Sequence, residues 1–356
     1  MKIYKILDKT KAALIWAFIG TILCLLLIFP TECRNGFTNG IFLCLQVLIP
    51  SLFPFMLLSG FVTKSGIITR IPNCITKAFS SIFGISPYGV AVISLSLIGG
   101  YPVGAVAIKA LHKENLLDDK DCEKLIMFCV SAGPGFLVTY IGAAMTRNLK
   151  LGYILLSSQI FSVLITGIIA RFTINTDNRK TTQCKVSKAP LRVREALVYC
   201  VDNAIRAATQ MCVLVMIFSG ICEIFITLTE SNPSLIWITA LLEISNGIKF
   251  MAESYPTPLM AFVCGFGGIC VHFQIFTQLS SVKFSKCNFY IFRILQGLIC
   301  AGITFLLTKL FPISQSVFST IENGKPQLYT SYVGCIFLVL TCLAFIVCVR
   351  QKRYNS

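Results

Sequence analysis

The stretch Gly99-Gly100-Tyr101-Pro102-Val103-Gly104 interrupts an apolar run in the first half of this 356-residue chain, and Ser131-Ala132-Gly133-Pro134-Gly135 interrupts the next one. In the second half, two apolar runs are interrupted by Glu243-Ile244-Ser245-Asn246-Gly247 and by Gly265-Phe266-Gly267-Gly268. Unwound backbone is tolerated inside a bilayer only where protein buries it or where it lines a polar cavity, because each unpaired amide or carbonyl costs several kcal/mol in hydrocarbon. Matched breaks in two halves therefore predict a transport site.

The composition is that of a polytopic membrane protein. Hydrophobic residues make up 55% of the chain and charged residues 13%, and the mean hydropathy is +0.78, whereas a soluble domain carries about 25% charged residues. Several apolar runs approach the ~20 residues that cross a bilayer. They are Ala12–Phe29, Phe37–Val62, Pro87–Ile108, Leu125–Met145, Leu151–Ile169, Ala208–Leu228, Leu235–Ile248, Pro258–Thr277, Phe289–Leu310 and Tyr332–Val349. We expect an all-α, multi-pass protein whose surroundings are the lipid bilayer.

The formal net charge of +16 does not indicate nucleic-acid binding, because the basic residues lie in short loops between apolar runs rather than on one folded face. Three basic clusters stand out, one near each terminus and one in the middle. They comprise Lys2, Lys5, Lys9 and Lys11; Arg171, Arg179, Lys180, Lys185, Lys188, Arg192 and Arg194; and Arg350, Lys352 and Arg353. The positive-inside rule places all three, and hence both termini, in the cytoplasm.

Cysteine and histidine usage argues against metal and enzyme chemistry. Most of the 17 cysteines lie inside apolar runs and no Cys-x-x-Cys occurs, so we expect small core residues rather than disulfides or metal ligands. The chain has two histidines, and it lacks a phosphate loop, a Gly-x-Ser-x-Gly motif and a His-Glu-x-x-His motif. We expect no catalytic site, no bound metal and no cofactor.

The charge pattern also constrains the number of crossings. The run Ala12–Phe29 lacks a small-x-small cleavage site and is expected to be a retained helix rather than a signal peptide. In each half, the chain leaves the cytoplasm and must return to it, so it crosses the membrane an even number of times. Each half has an odd number of apolar segments between these two cytoplasmic positions. One segment per half should therefore be re-entrant, entering and leaving on the same side. The sequence predicts about eight transmembrane helices plus two re-entrant or broken helical hairpins.

Short similarities link the two halves. Phe55-Met56-Leu57-Leu58-Ser59-Gly60-Phe61 is echoed by Val215-Met216-Ile217-Phe218-Ser219-Gly220-Ile221, and Phe128-Cys129-Val130-Ser131-Ala132-Gly133 by Phe262-Val263-Cys264-Gly265-Phe266-Gly267. The first pair would cross the membrane in opposite directions, which favours two inverted repeats around a midplane site. Chance similarity between glycine- and phenylalanine-rich segments is the alternative.

This organisation predicts five parts of the chain. They are a cytoplasmic segment with the first helix (1–35), a first repeat (36–174), a cytoplasmic linker (175–192), a second repeat (193–311), and an outer loop with the last helix and tail (312–356). The mixed basic and apolar stretches Gly66–Gly84 and Val193–Arg206 suit helices that lie at the cytoplasmic interface.

Glu243 is the sharpest single candidate for a binding residue. It follows an apolar run, and a carboxylate at bilayer centre costs about 2.5 to 3.5 kcal/mol even on the insertion scale. With Ser245 and Asn246 beside a helix break, it could bind a coupling cation or take up a proton. Because the preceding run is short, a carboxylate at the water interface is the alternative.

Glycine breaks supply backbone amides as a second kind of candidate. Ser131, Gly133 and Gly135 would expose amides at the start of a half-helix, whose positive dipole end attracts an anion. A proline kink used only for helix packing is the alternative. The further candidates are Gly99, Gly100 and Tyr101 at the preceding break, Gly267 in the second half, and His272 and Gln274 just after it, whereas Asn203 and Arg206 are expected to mark the membrane interface.

At these residues the chain resembles the YlbJ family of sporulation integral membrane proteins, also called SpoVV, whose shared module is the nucleoside-recognition or gate domain. The resemblance rests on four stretches and spans nearly the whole chain, more specifically in the first half. The stretches are Ser51-Leu52-Phe53-Pro54-Phe55 with Ser59-Gly60, Gly99–Gly104, Phe128–Phe136 and Glu243–Gly247.

The resemblance implies transport of dipicolinic acid across a membrane around the developing spore of a spore-forming Firmicute. The gate module is similar to parts of concentrative nucleoside transporters, which implies a substrate site near Ser131, Gly133, Gly135, Glu243, Ser245 and Asn246. The partners implied are a small anionic substrate and a coupling cation or proton. A nucleoside or nucleobase carrier, with Tyr101 stacking on the ring, and a structural sporulation protein that no longer transports are the alternatives.

Overall fold

A computed structural model describes residues 24–65, 71–174, 193–229 and 237–312, together with residues 16, 20 and 21. Every regular element in these ranges is a helix, which confirms the all-α prediction for this part of the chain. The expected linker at 175–192, the apolar run Tyr332–Val349 and half of Ala12–Phe29 lie outside the described residues.

The helices follow one another in this order. They are α1 (Pro30–Leu43), a π-helical turn π1 (Cys44–Leu48), α2 (Ile49–Lys64), α3 (Asn73–Phe83), α4 (Gly89–Gly99), α5 (Val103–Lys113), α6 (Asp119–Phe128), a second π-helix π2 (Gly135–Met145), α7 (Leu149–Thr173), α8 (Val193–Leu228), α9 (Trp237–Leu242), α10 (Ile244–Ser254), α11 (Thr257–Phe266), α12 (Gly268–Gln278) and α13 (Lys286–Leu310).

Five of the described helical spans are long and apolar enough to cross a membrane. They are Pro30–Lys64, Leu149–Thr173, Arg194–Leu228, Thr257–Gln278 and Lys286–Leu310. The α1–π1–α2 helix begins at Pro30, before the expected start of the first repeat at residue 36. The lengths and composition confirm a multi-pass membrane protein.

One expected interfacial helix is corrected by the structure. Val193–Arg206 does not form a separate surface helix, because α8 runs unbroken from Val193 to Leu228. Its 36 residues span about 54 Å at 1.5 Å per residue, which exceeds the ~30 Å hydrocarbon core. Asn203 and Arg206 lie on exposed parts of this helix, where Arg206 pairs with Asp202 at 2.9 Å.

Small residues allow the long helices to pack closely. A Cβ atom at Gly36 would lie 2.6 Å from the Cα atom of Gly220, and one at Gly40 would lie 2.8 Å from the Cα atom of Met216. The backbones of α1 and α8 therefore touch along the spacing Gly-x-x-x-Gly. This is the close approach that stabilises helix pairs in lipid, where apolar burial contributes little.

Each half contains one helical hairpin and one interrupted helix. In the first half, α4 and α5 pack against each other across the break at Gly100, whereas π2 follows α6 without folding back on it. In the second half, α9 and α10 pack against each other across the break at Glu243, and α11 and α12 form the single interrupted span Thr257–Gln278. The four breaks fall in the stretches that the sequence marked.

Candidate functional site

The two breaks of the first half touch at their glycines. Gly100 has a φ of +74°, and a Cβ atom there would lie 2.5 Å from the amide nitrogen of Gly133. Only glycine fits both requirements, since a side chain would be strained at this φ and would collide with backbone. The α4–α5 break and the α6–π2 break are thereby held in backbone contact.

The two breaks of the second half meet in the same way. A Cβ atom at Gly268, whose φ is +71°, would lie 3.5 Å from the carbonyl oxygen of Ala240 and from the amide nitrogen of Ile244. Gly247 allows α10 to lie directly on α9, because a Cβ atom there would lie 2.0 Å from the Cα atom of Ala240. The α11–α12 break is thus seated against the α9–α10 break.

Two tyrosines join the halves. The Tyr101 hydroxyl donates a hydrogen bond to the backbone carbonyl of Cys264, and its ring packs against Gly267, where a Cβ atom would lie 3.4 Å from Cε1. The Tyr140 hydroxyl, on π2, donates to the carbonyl of Ser245 at 3.0 Å. All four breaks therefore converge on one region of the bundle.

A small cavity of about 30 Å³ lies at this convergence. Five candidate residues line it, and they are Tyr101, Gly133, Glu243, Ser245 and Gln274; the remaining lining comes from Leu48, Ser51, Leu52, Phe136, Met211, Val215, Ile244 and Val271. A cavity of this size holds one or two water molecules. A ring-sized solute requires the walls to separate.

Glu243 caps the helix that follows it. Its side chain is 2% exposed, and its two carboxylate oxygens accept hydrogen bonds from the amides of Ser245, at 3.1 Å, and Asn246, at 2.7 Å. The positive end of the α10 dipole compensates the carboxylate at this position. Glu243 is therefore buried in the bundle rather than exposed at a water interface, and each oxygen keeps a lone pair for a further contact.

Ser131 lies in the unwound segment between α6 and π2. Its hydroxyl is fully buried and has no hydrogen-bond partner within the described residues. Gly133 follows on the cavity wall, and Pro134 precedes π2. The N-terminal end of a helix attracts negative charge, so this segment offers an unpaired hydroxyl and a helix dipole to an anion.

Besides Gly100 and Ser131, four further candidates do not line the cavity. Gly99 ends α4 and faces the Val103 side chain, Gly135 faces Ser51, and Gly267 contacts the Tyr101 ring. The Asn246 side-chain amide donates to the Ser219 hydroxyl of α8 at 2.7 Å. These residues shape the breaks, and Asn246 ties α10 to α8.

No protein-family model matches the chain, and no solved structure matches it. Among curated proteins, it is 23% identical over 346 residues to the sporulation integral membrane protein YlbJ of Bacillus subtilis (strain 168), with 85% of this chain and 84% of that protein covered. This similarity extends the resemblance found in the break motifs over most of the chain, and the relative's name describes an integral membrane protein of sporulation.

One functional residue was not predicted from the sequence. Arg293 of α13 is fully buried, and its guanidinium donates to the backbone carbonyls of Met127 and Val130 at the end of α6. These carbonyls would otherwise be left unpaired by the break. A single arginine within the apolar run Phe289–Leu310 was the available signal, because an intramembrane charge is rarely without a role.

His272 contacts the end of the interrupted helix in the second half in a similar way. It lies within 2.9 Å, through Nε2, of the carbonyl oxygen of Phe266 at the end of α11. Its ring is fully buried and lies edge-on to Phe266, Phe289 and Tyr290. His272 is therefore a packed residue that closes a helix end and not part of the cavity wall.

Metal ligands do not gather near this site. Within the described ranges, no three His, Cys, Asp or Glu side chains come together in a way that suits a metal ion. The polar groups of the residues that line the cavity are backbone amides, hydroxyls, one side-chain amide and one carboxylate. Such a set suits reversible binding of a small solute.

Proposed function

We propose that this protein is a secondary transporter of a small anionic metabolite, dipicolinic acid, across a membrane around the developing spore. The observation that carries the proposal is the convergence of four helix breaks on one small cavity. Broken helices whose ends face a midplane cavity are the recurrent design of secondary transporters. The YlbJ-family relative, by its name a sporulation membrane protein, supports the cellular setting.

The anion is proposed to bind at the start of π2. Dipicolinate carries two carboxylates, and the positive dipole end of an 11-residue helix faces the cavity at Gly133. The buried Ser131 hydroxyl is free to donate one hydrogen bond to a carboxylate. No catalytic step is part of the proposal, which assigns binding and release alone.

Glu243 is proposed to bind the coupling cation or proton rather than the substrate. A second negative charge would repel dipicolinate, and both carboxylate oxygens already accept backbone amides. A proton or a monovalent cation on the remaining lone pairs would neutralise the carboxylate when the anion is bound. Uptake of the two together is then favoured over uptake of either alone.

We propose eight full crossings and two re-entrant hairpins, with both termini in the cytoplasm. Contacts at the helix ends support this topology for the described part. Lys64, at the end of α2, pairs with Glu114, just after α5, and the Arg171 guanidinium near the end of α7 donates to the carbonyl of Ser81. These contacts gather the helix ends at one face, so the α4–α5 hairpin leaves on the side where it entered.

The opposite face is marked by the contact between Lys150 and Pro312. The Lys150 ammonium, at the start of α7, donates to the Pro312 carbonyl, just after α13, at 2.8 Å. A hairpin followed by an interrupted helix occurs in each half, which supports the proposal of two inverted repeats.

The structure corresponds, in this proposal, to a closed state. A cavity of about 30 Å³ has no room for a pyridine ring with two carboxylates. Transport therefore requires the two halves to separate at the contacts that Tyr101 and Tyr140 make across them. Alternate separation toward either face would carry the substrate across.

Direct binding tests the proposal. Radiolabelled dipicolinate is added to the purified full-length protein in detergent, with unlabelled uridine or dipicolinate as competitor. We expect saturable binding that dipicolinate displaces and uridine does not. Displacement by uridine would assign a nucleoside carrier instead, and binding of neither ligand would assign a structural role to the protein.

A further inference from the structure

A second set of buried polar side chains lies between α7 and α13, away from the cavity wall. On α13 the set follows one face at positions i, i+3, i+7 and i+11; on α7 it follows the facing side. Its members are Arg293, Gln296, Cys300 and Thr304 of α13 and Ser158, Gln159, Ser162 and Thr166 of α7, each at most 1% exposed. We call this set the polar seam.

The polar seam begins behind the candidate site. Arg293, its first member, holds the carbonyls of Met127 and Val130 at the α6 break. Val130 directly precedes Ser131, in the unwound segment whose Gly133 lines the cavity. The first residue of the seam therefore holds the backbone next to the site.

Several polar atoms of the polar seam have no hydrogen-bond partner among the described residues. They are Nε of Arg293, both amide atoms of Gln296, Nε2 of Gln159 and Oγ1 of Thr304. Each such atom costs about 1–3 kcal/mol when it is buried dry. Five of them together would approach the whole ~5–15 kcal/mol by which a folded domain is stable.

Direct contacts between the helices do not meet this need. The Cys300 thiol reaches Oε1 of Gln159 at 3.6 Å, while the Ser162 and Thr166 hydroxyls donate to carbonyls of their own helix at 2.9 and 2.6 Å. If these side chains served only to hold α7 and α13 together through hydrogen bonds, Gln296 would have a partner on the other helix. Groups of this kind in proteins are satisfied by buried water, which typically makes about three hydrogen bonds.

We propose that the polar seam holds a file of ordered water molecules. The file would run from Arg293 to Thr304, about 16 Å at 1.5 Å per residue, toward the face where Lys150 meets Pro312. The file of water would connect the site with that face and not with the opposite one. In the proposed transporter the file is the path of a coupling proton, and this last step alone rests on the proposed function.

Hydroxyl-radical footprinting tests the file of water without measuring transport. Radicals are generated by X-ray pulses on the full-length protein in nanodiscs, and oxidation of Cys300 is compared by mass spectrometry with that of Cys122, since both residues are 0% exposed. Water held beside a thiol generates the radical in place, so we expect Cys300 to be oxidised at least about 5-fold faster than Cys122.

Three variants make the test specific. Gln296→Leu and Thr304→Val remove polar atoms of the seam at nearly constant volume, and we expect each to lower Cys300 oxidation at least about threefold. Thr308→Val is the matched control, because Thr308 is half-buried one turn beyond the seam and its hydroxyl already donates to the carbonyl of Phe305. Equal oxidation of Cys300 and Cys122, or unchanged Cys300 oxidation in Gln296→Leu, would overturn the proposal.

Discussion

The ring of Tyr101, at the break of the first hairpin, packs against Gly267, at the break of the second interrupted helix, and its hydroxyl donates to the carbonyl of Cys264 on the same helix. These residues lie far apart in the sequence but meet at one site. The contact joins the two halves of the chain directly over the cavity that Tyr101 lines.

Removing the Tyr101 hydroxyl is expected to weaken the contact between the two halves of the chain. Tyr101→Phe leaves the Cys264 carbonyl buried without its donor, and the free energy of unfolding should fall by about 1 kcal/mol. Tyr140→Phe, which loses the 3.0 Å bond to Ser245, should have a similar effect. Thermal unfolding in detergent measures both, with Tyr153→Phe as the control because Tyr153 is 57% exposed. Unchanged unfolding of both variants would show that these bonds do not hold the halves together.

Arg293 should not be replaceable by lysine. Its planar guanidinium serves the carbonyls of Met127 and Val130 at once, whereas an ammonium group is a point charge without this fork. We expect Arg293→Lys to lower the free energy of unfolding by about 2 kcal/mol, since one buried carbonyl loses a charged donor. Arg206→Lys, at an exposed pair with Asp202, should unfold like the unchanged protein. A wild-type unfolding temperature for Arg293→Lys would refute this role.

Three substitutions at Glu243 separate its cap from its charge. Glu243→Gln is expected to impair dipicolinate transport while the protein still inserts. Glu243→Asn keeps a good N-cap but no charge, so folding should be retained and uptake should fall at least about tenfold if the carboxylate takes part in coupling. Glu243→Asp retains both properties and should transport. Normal uptake by Glu243→Asn would leave the residue with a capping role only.

A substitution at Ser131 tests the anion site with little expected effect on folding. Ser131→Ala removes a buried hydroxyl that has no partner among the described residues, so folding should be unaffected or slightly improved. Dipicolinate affinity should fall by about 5- to 10-fold, because one hydrogen bond to a charged group is lost. Ser157→Ala, whose hydroxyl donates to its own helix at Tyr153, is the control. Equal affinities for the two variants would place the anion elsewhere.

The breaks could be predicted from the sequence because glycine, proline and a carboxylate inside apolar runs violate strong rules of the bilayer. The conformation of the chain at each break could not be predicted from the sequence. Whether the chain folds back, as at Gly100, or continues, as at Gly267, depends on which helix it packs against, and periodicity carries no information on that contact.

The capping role of Glu243 could not be predicted from the sequence either. Glutamate is not among the preferred N-cap residues, so the pattern Glu-Ile-Ser-Asn indicated a binding residue and did not indicate a helix cap. The continuity of α8 was hidden by the basic and apolar mixture of Val193–Arg206, which also fits an interfacial helix. Arg293 could have been found, since a lone charge in an apolar run is a recognised signal.

Uptake of radiolabelled dipicolinate into proteoliposomes, with Gly133→Ala compared with Gly302→Ala, tests the central claim most directly. A Cβ atom at Gly133 would lie 2.9 Å from the amide nitrogen of Gly100 and push the two breaks apart, whereas one at Gly302 meets nothing within 4 Å. Equal incorporation of both variants, checked by gel filtration, is the condition for the comparison. We predict uptake by the unchanged protein and by Gly302→Ala, and its loss in Gly133→Ala. Equal uptake by the two variants, or none by the unchanged protein, would contradict the assignment of the converging breaks as the transport site.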